Sequence, residues 1–293
     1  MKNIKNIATV AFALMSGATF AQSNLYNAKT ADEIGQKSLE AIWTETQGPK
    51  PYQYVNERDI LFEKKVWEVI PADQKANLIY FLPLTKTIDR KPLFEVLVEA
   101  IKSGAITEVY DNHDFSYKIP FSELEKKFSR SVVTDEGVEL YNLGLPIPEE
   151  YVIHYQLRAS DVKEYRIMGA WYFDRNAGEL KYRLLGICPV VTDINTLGSE
   201  NESTTELFWI FFPNAREVLY KNYAYNEKNN RLQMNFDYLL NSRRFNATIY
   251  QVDNIYGDFT ISEYVKDNAM LQLLEAERIK ESIREFEDDL WNY

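Results

Sequence analysis

A turn organises the middle of this chain. Asp174-Arg175-Asn176-Ala177-Gly178 separates two apolar stretches, Ile167–Phe173 and a return segment that starts at Glu179. Asp and Asn satisfy backbone groups in turns, and Gly supplies the left-handed conformation at no steric cost. In the return segment Leu180, Tyr182 and Leu184 alternate with Lys181 and Arg183. A period of two, with charges on one side, describes a strand with one wet face. The block therefore predicts an antiparallel hairpin.

Other strands are expected at Val66–Ile70, Leu78–Phe81, Ala105–Tyr110 and Val152–Arg158. Phe245, Ala247 and Ile249 alternate as well. Leu207–Phe212 shows no alternation, which predicts a strand buried on both faces, with Trp209 and Phe212 in the core. Pro213 would stop it, and Asn214 with Glu217 would cap a following helix.

Helices alternate with these strands. Pro92 opens one at the favoured first position, with Leu93, Phe94, Leu97, Val98 and Ile101 on one face and Gly104 at its end. Phe121, Leu124 and Phe128 share one side of a second. The segment 134–150, with Gly137, Gly144, Pro146 and Pro148, reads as a loop and a candidate subdomain boundary. Thr260 and Glu263 form a capping box at the start of a long helical region. There Ala276, Ile279, Ile283, Phe286 and Leu290 step by three and four, a narrow stripe suited to a groove or a second helix. The same stripe also suits packing on the chain's own sheet. The fold class predicted is α+β, an antiparallel or mixed sheet with several helices and a long C-terminal helix.

The first 21 residues carry Lys2 and Lys5, an apolar run Ile7–Met15, and small residues Thr19 and Ala21 before Gln22. That is the pattern of a cleaved secretory signal, too short to span a bilayer. Position 22 is not Cys, so no lipid anchor is expected there. Residues 22–56 read as an arm and linker, with Thr30 capping a short helix and a break at Gly48-Pro49-Lys50-Pro51. Residues 57–293 form the main domain. The net charge is −11, or −13 once Lys2 and Lys5 are lost, which disfavours nucleic acid and anionic membrane and favours basic protein partners.

The search for chemistry yields little. Cys188 stands alone in an apolar run and reads as a buried, inert thiol. His113 and His154 have no ligands at metal spacing, and Asp111-Asn112-His113-Asp114 reads as a polar turn. No nucleophile elbow or phosphate loop is present. No catalytic residue, cofactor or metal is expected.

Several segments in series give the chain a family likeness. They are Val66-Trp67-Glu68-Val69-Ile70 with Lys75-Ala76-Asn77; Pro92-Leu93-Phe94 with Gly104-Ala105-Ile106; Trp171-Tyr172-Phe173-Asp174 leading to Arg183-Leu184-Leu185-Gly186-Ile187-Cys188-Pro189; and Leu207-Phe208-Trp209-Ile210 with Pro213 and Arg216. Phe236-Asp237, Arg243, Phe245 and Asn254-Ile255-Tyr256 follow, and then Glu275–Glu281 and Phe286–Trp291. The series resembles the gliding-motility family GldN, also called PorN, of the type IX secretion system. Gly169-Ala170 and Cys188 depart from the pattern expected there. The resemblance implies a non-catalytic periplasmic subunit that pairs with a GldK/PorK-like outer-membrane lipoprotein, self-associates in a ring, and meets a GldM/PorM-like motor component.

Trp67 and Trp291, flanked by charges, are the aromatic residues expected at a partner surface, together with Ile279, Ile283, Phe286 and Leu290 on the terminal helix Leu271–Trp291. Two other readings fit the composition. A periplasmic glycan-binding or glycan-cleaving protein would use the many Tyr and Trp residues and the carboxylates. A free chaperone for exported cargo would be monomeric.

Overall fold

The computed structural model describes residues 46–87, 90–196, 202–225, 234–255, 257, 259–266 and 268–291. The signal segment and the arm up to residue 45, including the helix expected at Thr30, lie outside the described residues. The fold is α+β, with residues 49–293 as one contact unit.

The predicted turn sits at the centre. Strand β4 (Val162–Asp174) runs into it and β5 (Glu179–Thr192) runs out. Asp174 closes it: its Oδ1 accepts from the amides of Asn176 at 3.0 Å and Ala177 at 3.3 Å. The amide of Gly178 donates to the Asp174 carbonyl, and Gly178 takes φ +64°. Strand β1 (Ile60–Pro71) pairs antiparallel with the other side of β4. At roughly 3.3 Å per residue, these three strands are each about 40 Å long.

Strand β6 (Thr204–Glu206), the two-residue β7 (Ile210–Phe211) and β10 (Thr248–Val252) complete the sheet, in the order β10-β1-β4-β5-β6 with β7 also on β5. Every pairing in it is antiparallel. Two further strand pairs stand apart, β2 (Ser129–Val133) with β3 (Val152–Gln156), and β8 (Tyr223–Ala224) with β9 (Met234–Asn235).

One face of the long strands carries two apolar clusters in succession. Ile70, Tyr165, Ile167, Leu184 and Ile187 pack under helices α2 (Leu93–Lys102), α5 (Phe212–Lys221) and α6 (Phe236–Asn241). Val66, Ile249 and Val252 pack under α7 (Ile261–Tyr264) and the 23-residue α8 (Ala269–Trp291). The opposite face holds Trp67, Met168 and Cys188 beneath Tyr110 and Trp209.

Several expected elements differ. Leu78–Phe81 is not a strand but a single helical turn, α1. Asn77 fixes it: its Nδ2 donates to the Pro71 and Asn246 carbonyls at 2.9 Å each, and its Oδ1 accepts from the Asn246 amide. Ala105–Tyr110 is not a strand either; only Tyr110 bridges, exchanging backbone bonds with Trp209 at 2.8 and 2.7 Å. Leu207–Phe212 is buried almost throughout, as its lack of alternation implies, yet only Ile210 and Phe211 form strand. Phe212 already opens α5, so Pro213 sits in its first turn and Asn214 lies inside it.

Segment 134–150 is not only loop. It contains α4 (Asp135–Asn142), capped by Thr134 Oγ1 accepting from Gly137. The remaining expected helix is α3 (Phe121–Phe128), with Leu124 and Phe128 buried and Phe121 exposed. The Thr260–Glu263 capping box is present, but it starts only the four-residue α7. Helix α8 starts afresh at Asn268, whose Oδ1 accepts from Met270 and Leu271 at 3.1 Å each.

Candidate interaction surfaces

On the inner face, where the two clusters meet, Glu68 is 1% exposed and takes both guanidinium nitrogens of Arg243 at 2.7 Å each. Arg243 lies 4.1 Å over the Tyr182 ring and 5.2 Å from both Trp171 and Phe245. The Tyr182 hydroxyl donates to the same carboxylate at 3.4 Å, and Tyr182 packs against both clusters. Burial, with the Glu68 charge adding to it, pushes the Tyr182 phenol well above its ordinary range. This is a caged, bidentate ion pair of the kind that fixes geometry rather than binding solvent-borne ligands.

Gly169 is what admits Tyr182. A Cβ built at Gly169 would overlap the Tyr182 hydroxyl and ring. Gly169 is thus a clearance for the phenol that joins the two clusters. Cys188 is fully buried on the opposite face, where burial pushes its thiol well up.

A second polar assembly holds residues 50–53 against the domain. Arg216 donates bidentately to Asp237, Nε to Oδ1 at 2.8 Å and Nη2 to Oδ2 at 3.2 Å. The same Nη2 reaches the Lys50 carbonyl at 2.8 Å. Tyr52 is layered against Arg216 at 4.1 Å and Arg183 at 5.0 Å, and its hydroxyl donates to Asn241 Oδ1 at 2.7 Å. Arg183 also grips the Gln53 carbonyl at 2.8 Å. Burial pushes the Tyr52 phenol up to about 12, against the pull of the two guanidiniums. Aromatic–guanidinium stacking contributes about 0.5–2 kcal/mol per contact, so the chain enters the domain along a defined seat. The charged face of β5 is wet in sequence but partly covered by this strap.

The residues expected at a partner surface fall in different places. Trp67 is 2% exposed, its ring edge-on to His113 at 5.2 Å, and its indole N–H is buried with no acceptor among the described residues. Its charged neighbour Glu68 points to the inner face, so flanking charge does not signal exposure here. Ile279 and Ile283 are buried with Ala276 against Val66 and Ile249. Phe286 is half-buried and stacks on Phe62 at 4.3 Å. Of the two roles open to the stripe, these residues take the intramolecular one. The side chains of Leu290 and Trp291 lie outside the described residues. Asp111–Asp114 forms the expected polar turn: Asn112 Oδ1 accepts from Ser116 N, and its amide donates to Ser116 Oγ at 2.8 Å.

What periodicity did not single out is the first part of α8. Met270 and Leu274 lie roughly opposite Ala276 and Ile279 around the helix, with Leu273 on the flank; all three are exposed, Met270 by 67%, with Leu271 beside them. The signal was present as four apolar residues within five positions, more than one helix face can bury. A second exposed apolar group lies on α4, the connection after it and β3 (Tyr141, Leu143, Leu145, Ile153).

Among the described residues no helix is long and apolar enough to cross a membrane, and no group of three or more His, Cys, Asp or Glu side chains is arranged to hold a metal ion. No curated protein matches the chain. A family model described as "Gliding motility associated protein GldN" matches residues 55–292, from the strap's exit to the end of α8. The chain belongs to the GldN family of gliding-motility-associated proteins.

Proposed function

We propose that this protein is a non-catalytic, exported subunit of the type IX protein secretion and gliding machinery. In this reading residues 1–21 are removed on export, residues 22–56 are an arm, and residues 57–293 are the assembling domain. The subunit works in the periplasm beneath the outer membrane, held there by a GldK/PorK-like lipoprotein. Copies associate into a ring with that lipoprotein and meet a GldM/PorM-like component.

The observation that carries this reading is the family match over residues 55–292. Two features of the molecule support it. The polar clusters at Glu68–Arg243 and Arg216–Asp237 are closed by their own partners and serve to hold the fold. The outward side of α8 offers Met270, Leu273 and Leu274 as an apolar contact on a rigid element. Apolar anchors on a helix face are a common recognition mode, and a few such residues supply most of the affinity.

The test is affinity purification of the tagged chain from envelope extracts, followed by sizing and mass spectrometry. One outer-membrane lipoprotein in near-equal amount, in very large particles, is the expected result. A monomer with no stoichiometric protein partner overturns the reading.

A further inference from the structure

The excursion 129–156 is built unlike the rest of the domain. It contains a hairpin, β2 with β3, and the helix α4 between them. Its base is closed by the Leu157 amide donating to the Phe128 carbonyl at 2.9 Å, and Ser129 Oγ donates to the Glu125 carbonyl at 3.3 Å. Beside it, Arg130 Nη1 donates to the Asn195 carbonyl at 2.8 Å and the Ile194 carbonyl at 3.4 Å.

Within the excursion only Gly137 is buried. A Cβ there would meet Val133 Cγ1 at 2.6 Å and Tyr151 Cβ at 3.0 Å, so Gly137 lets α4 lie directly on the hairpin. No side chain of the excursion is removed from water to that degree. Tyr141 is 69% and Leu143 74% exposed, and Val138, Leu145, Ile153 and Tyr155 are exposed too. A two-stranded hairpin with no core is marginal on its own. Neither β2 nor β3 pairs with a further strand among the described residues, so each leaves an edge open to pairing.

The charge around this surface selects what covers it. Asp135, Glu136, Glu139, Glu149 and Glu150 lie in the excursion, and Arg130, the one Lys or Arg there, is committed to backbone carbonyls. A second copy of the same surface would bring like charges together, and anionic lipid would be repelled. A basic segment carrying apolar side chains matches both features.

We propose that the β2–α4–β3 excursion is the docking surface for a basic, apolar segment of a partner protein, laid against Tyr141, Leu143 and Leu145 and along a hairpin edge. Main-chain pairing at the edge supplies register, the apolar contacts supply affinity, and the carboxylates reject acidic competitors. The proposal rests on the reading of this chain as an assembly subunit.

The test uses the purified full chain and two synthetic 14-residue peptides, one alternating apolar residues with Lys and one alternating them with Glu. Fluorescence anisotropy should show binding of the Lys peptide only. A Tyr141→Ser/Leu143→Ser/Leu145→Ser variant should weaken it at least tenfold, while Leu84→Ser/Tyr117→Ser, at exposed apolar positions outside the excursion, leaves it unchanged. Hydrogen exchange should slow at β2 or β3 amides when the peptide binds. Equal affinity in the triple variant overturns the proposal, because the acidic surface at large would then be responsible. Equal binding of the Glu peptide overturns the charge argument. A dimer of the chain seen by sedimentation and lost in the triple variant overturns it in favour of a second copy. If the triple variant fails these tests but still assembles with the lipoprotein, this surface falls and the subunit reading stands. If the unaltered chain assembles with nothing, the subunit reading falls whatever the peptides do.

Discussion

The inner face of the sheet and the 129–156 excursion use similar residues to opposite ends. Both contain Tyr, Val, Ile, Leu and a close-approach glycine. On the sheet face these side chains are buried, and so is the Glu68 carboxylate of the Glu68–Arg243 ion pair among them. On the excursion the same residue types stand in water around a single buried glycine. Composition is thus a poor guide to role. What separates the two regions is whether the chain supplies its own cover, and that depends on residues far away in sequence.

The largest effect expected in this comparison is at the enclosed pair. Arg243→Met leaves the Glu68 carboxylate buried without its partner, and breaking a buried pair costs about 3–5 kcal/mol. Urea unfolding of the purified chain would register this as a lower midpoint with little change in slope. Replacing both members, Glu68→Leu with Arg243→Met, should recover much of the loss, because the uncompensated charge is then gone. A single variant as stable as the double would mean that solvent reaches Glu68.

The next effect separates the two sides of α8. Ile283→Ala removes a side chain 4% exposed and packed with Val66 and Ile249, which should cost about 2–5 kcal/mol. Leu274→Ala on the outward side should change stability by no more than about 0.5 kcal/mol. Equal losses would show that the outward residues are also covered within the chain.

Glycine substitutions sharpen the contrast at a smaller scale. Gly169→Ala sets a methyl group against the Tyr182 ring, held in place by Glu68 and Arg243, and overpacking of this kind costs about 1–3 kcal/mol. Gly137→Ala meets Val133 and Tyr151 in the excursion, where half-exposed neighbours can move apart. Alanine also favours helix over glycine by about 1 kcal/mol, so the net change there should be close to zero. Differential scanning calorimetry of both variants reads the two stability changes as shifts in melting temperature.

Acid titration probes the turn that joins the long strands. Burial opposes ionisation of Asp174, but the Lys181 ammonium and the amides of Ala177 and Asn176 overcome it and hold the carboxyl below its ordinary value. The folded pKa is depressed, so the stabilisation is present above the unfolded value of about 3.9 and is lost as pH falls through the folded value. Asp174→Asn should therefore flatten the fall in stability below about pH 4, with the acid-unfolding curve as readout. An unchanged acid limb would assign it to other carboxylates.

Much of the sheet was readable in advance, and the reasons are local. The Asp174–Gly178 turn and the alternation after it are short-range signals, as are the α2 face and the Thr260–Glu263 box. Leu78–Phe81 was not readable, because four apolar residues in a row fit a strand or a helical turn equally. The side chain that decides, Asn77, finds its partner in Asn246, 169 residues away. Burial of Leu207–Phe212 was legible, but its pairing with Tyr110 was not. The stripe Ala276–Phe286 named the apolar side of α8 correctly, while periodicity carries no information on what covers it. The seat of Tyr52 left no sequence signal, since Arg216, Asp237 and Asn241 lie more than 160 residues beyond it.

The smallest stability effect is also the most informative about the excursion. Tyr141→Ser/Leu143→Ser/Leu145→Ser removes three large side chains that contact mainly water, so the unfolding midpoint should move by no more than about 0.5 kcal/mol in free energy. The same number of apolar deletions in the sheet core would unfold a domain of ordinary stability, which is only about 5–15 kcal/mol. Apolar surface kept in water gains its free energy only when something covers it, at about 25 cal/mol per Å². A triple variant as stable as the parent but poor at binding its partner would mean that this free energy is held for assembly. A triple variant that unfolds would mean that Tyr141, Leu143 and Leu145 hold the excursion together themselves. The contrast between a self-covered sheet and a partner-covered hairpin would then collapse into one cooperative domain.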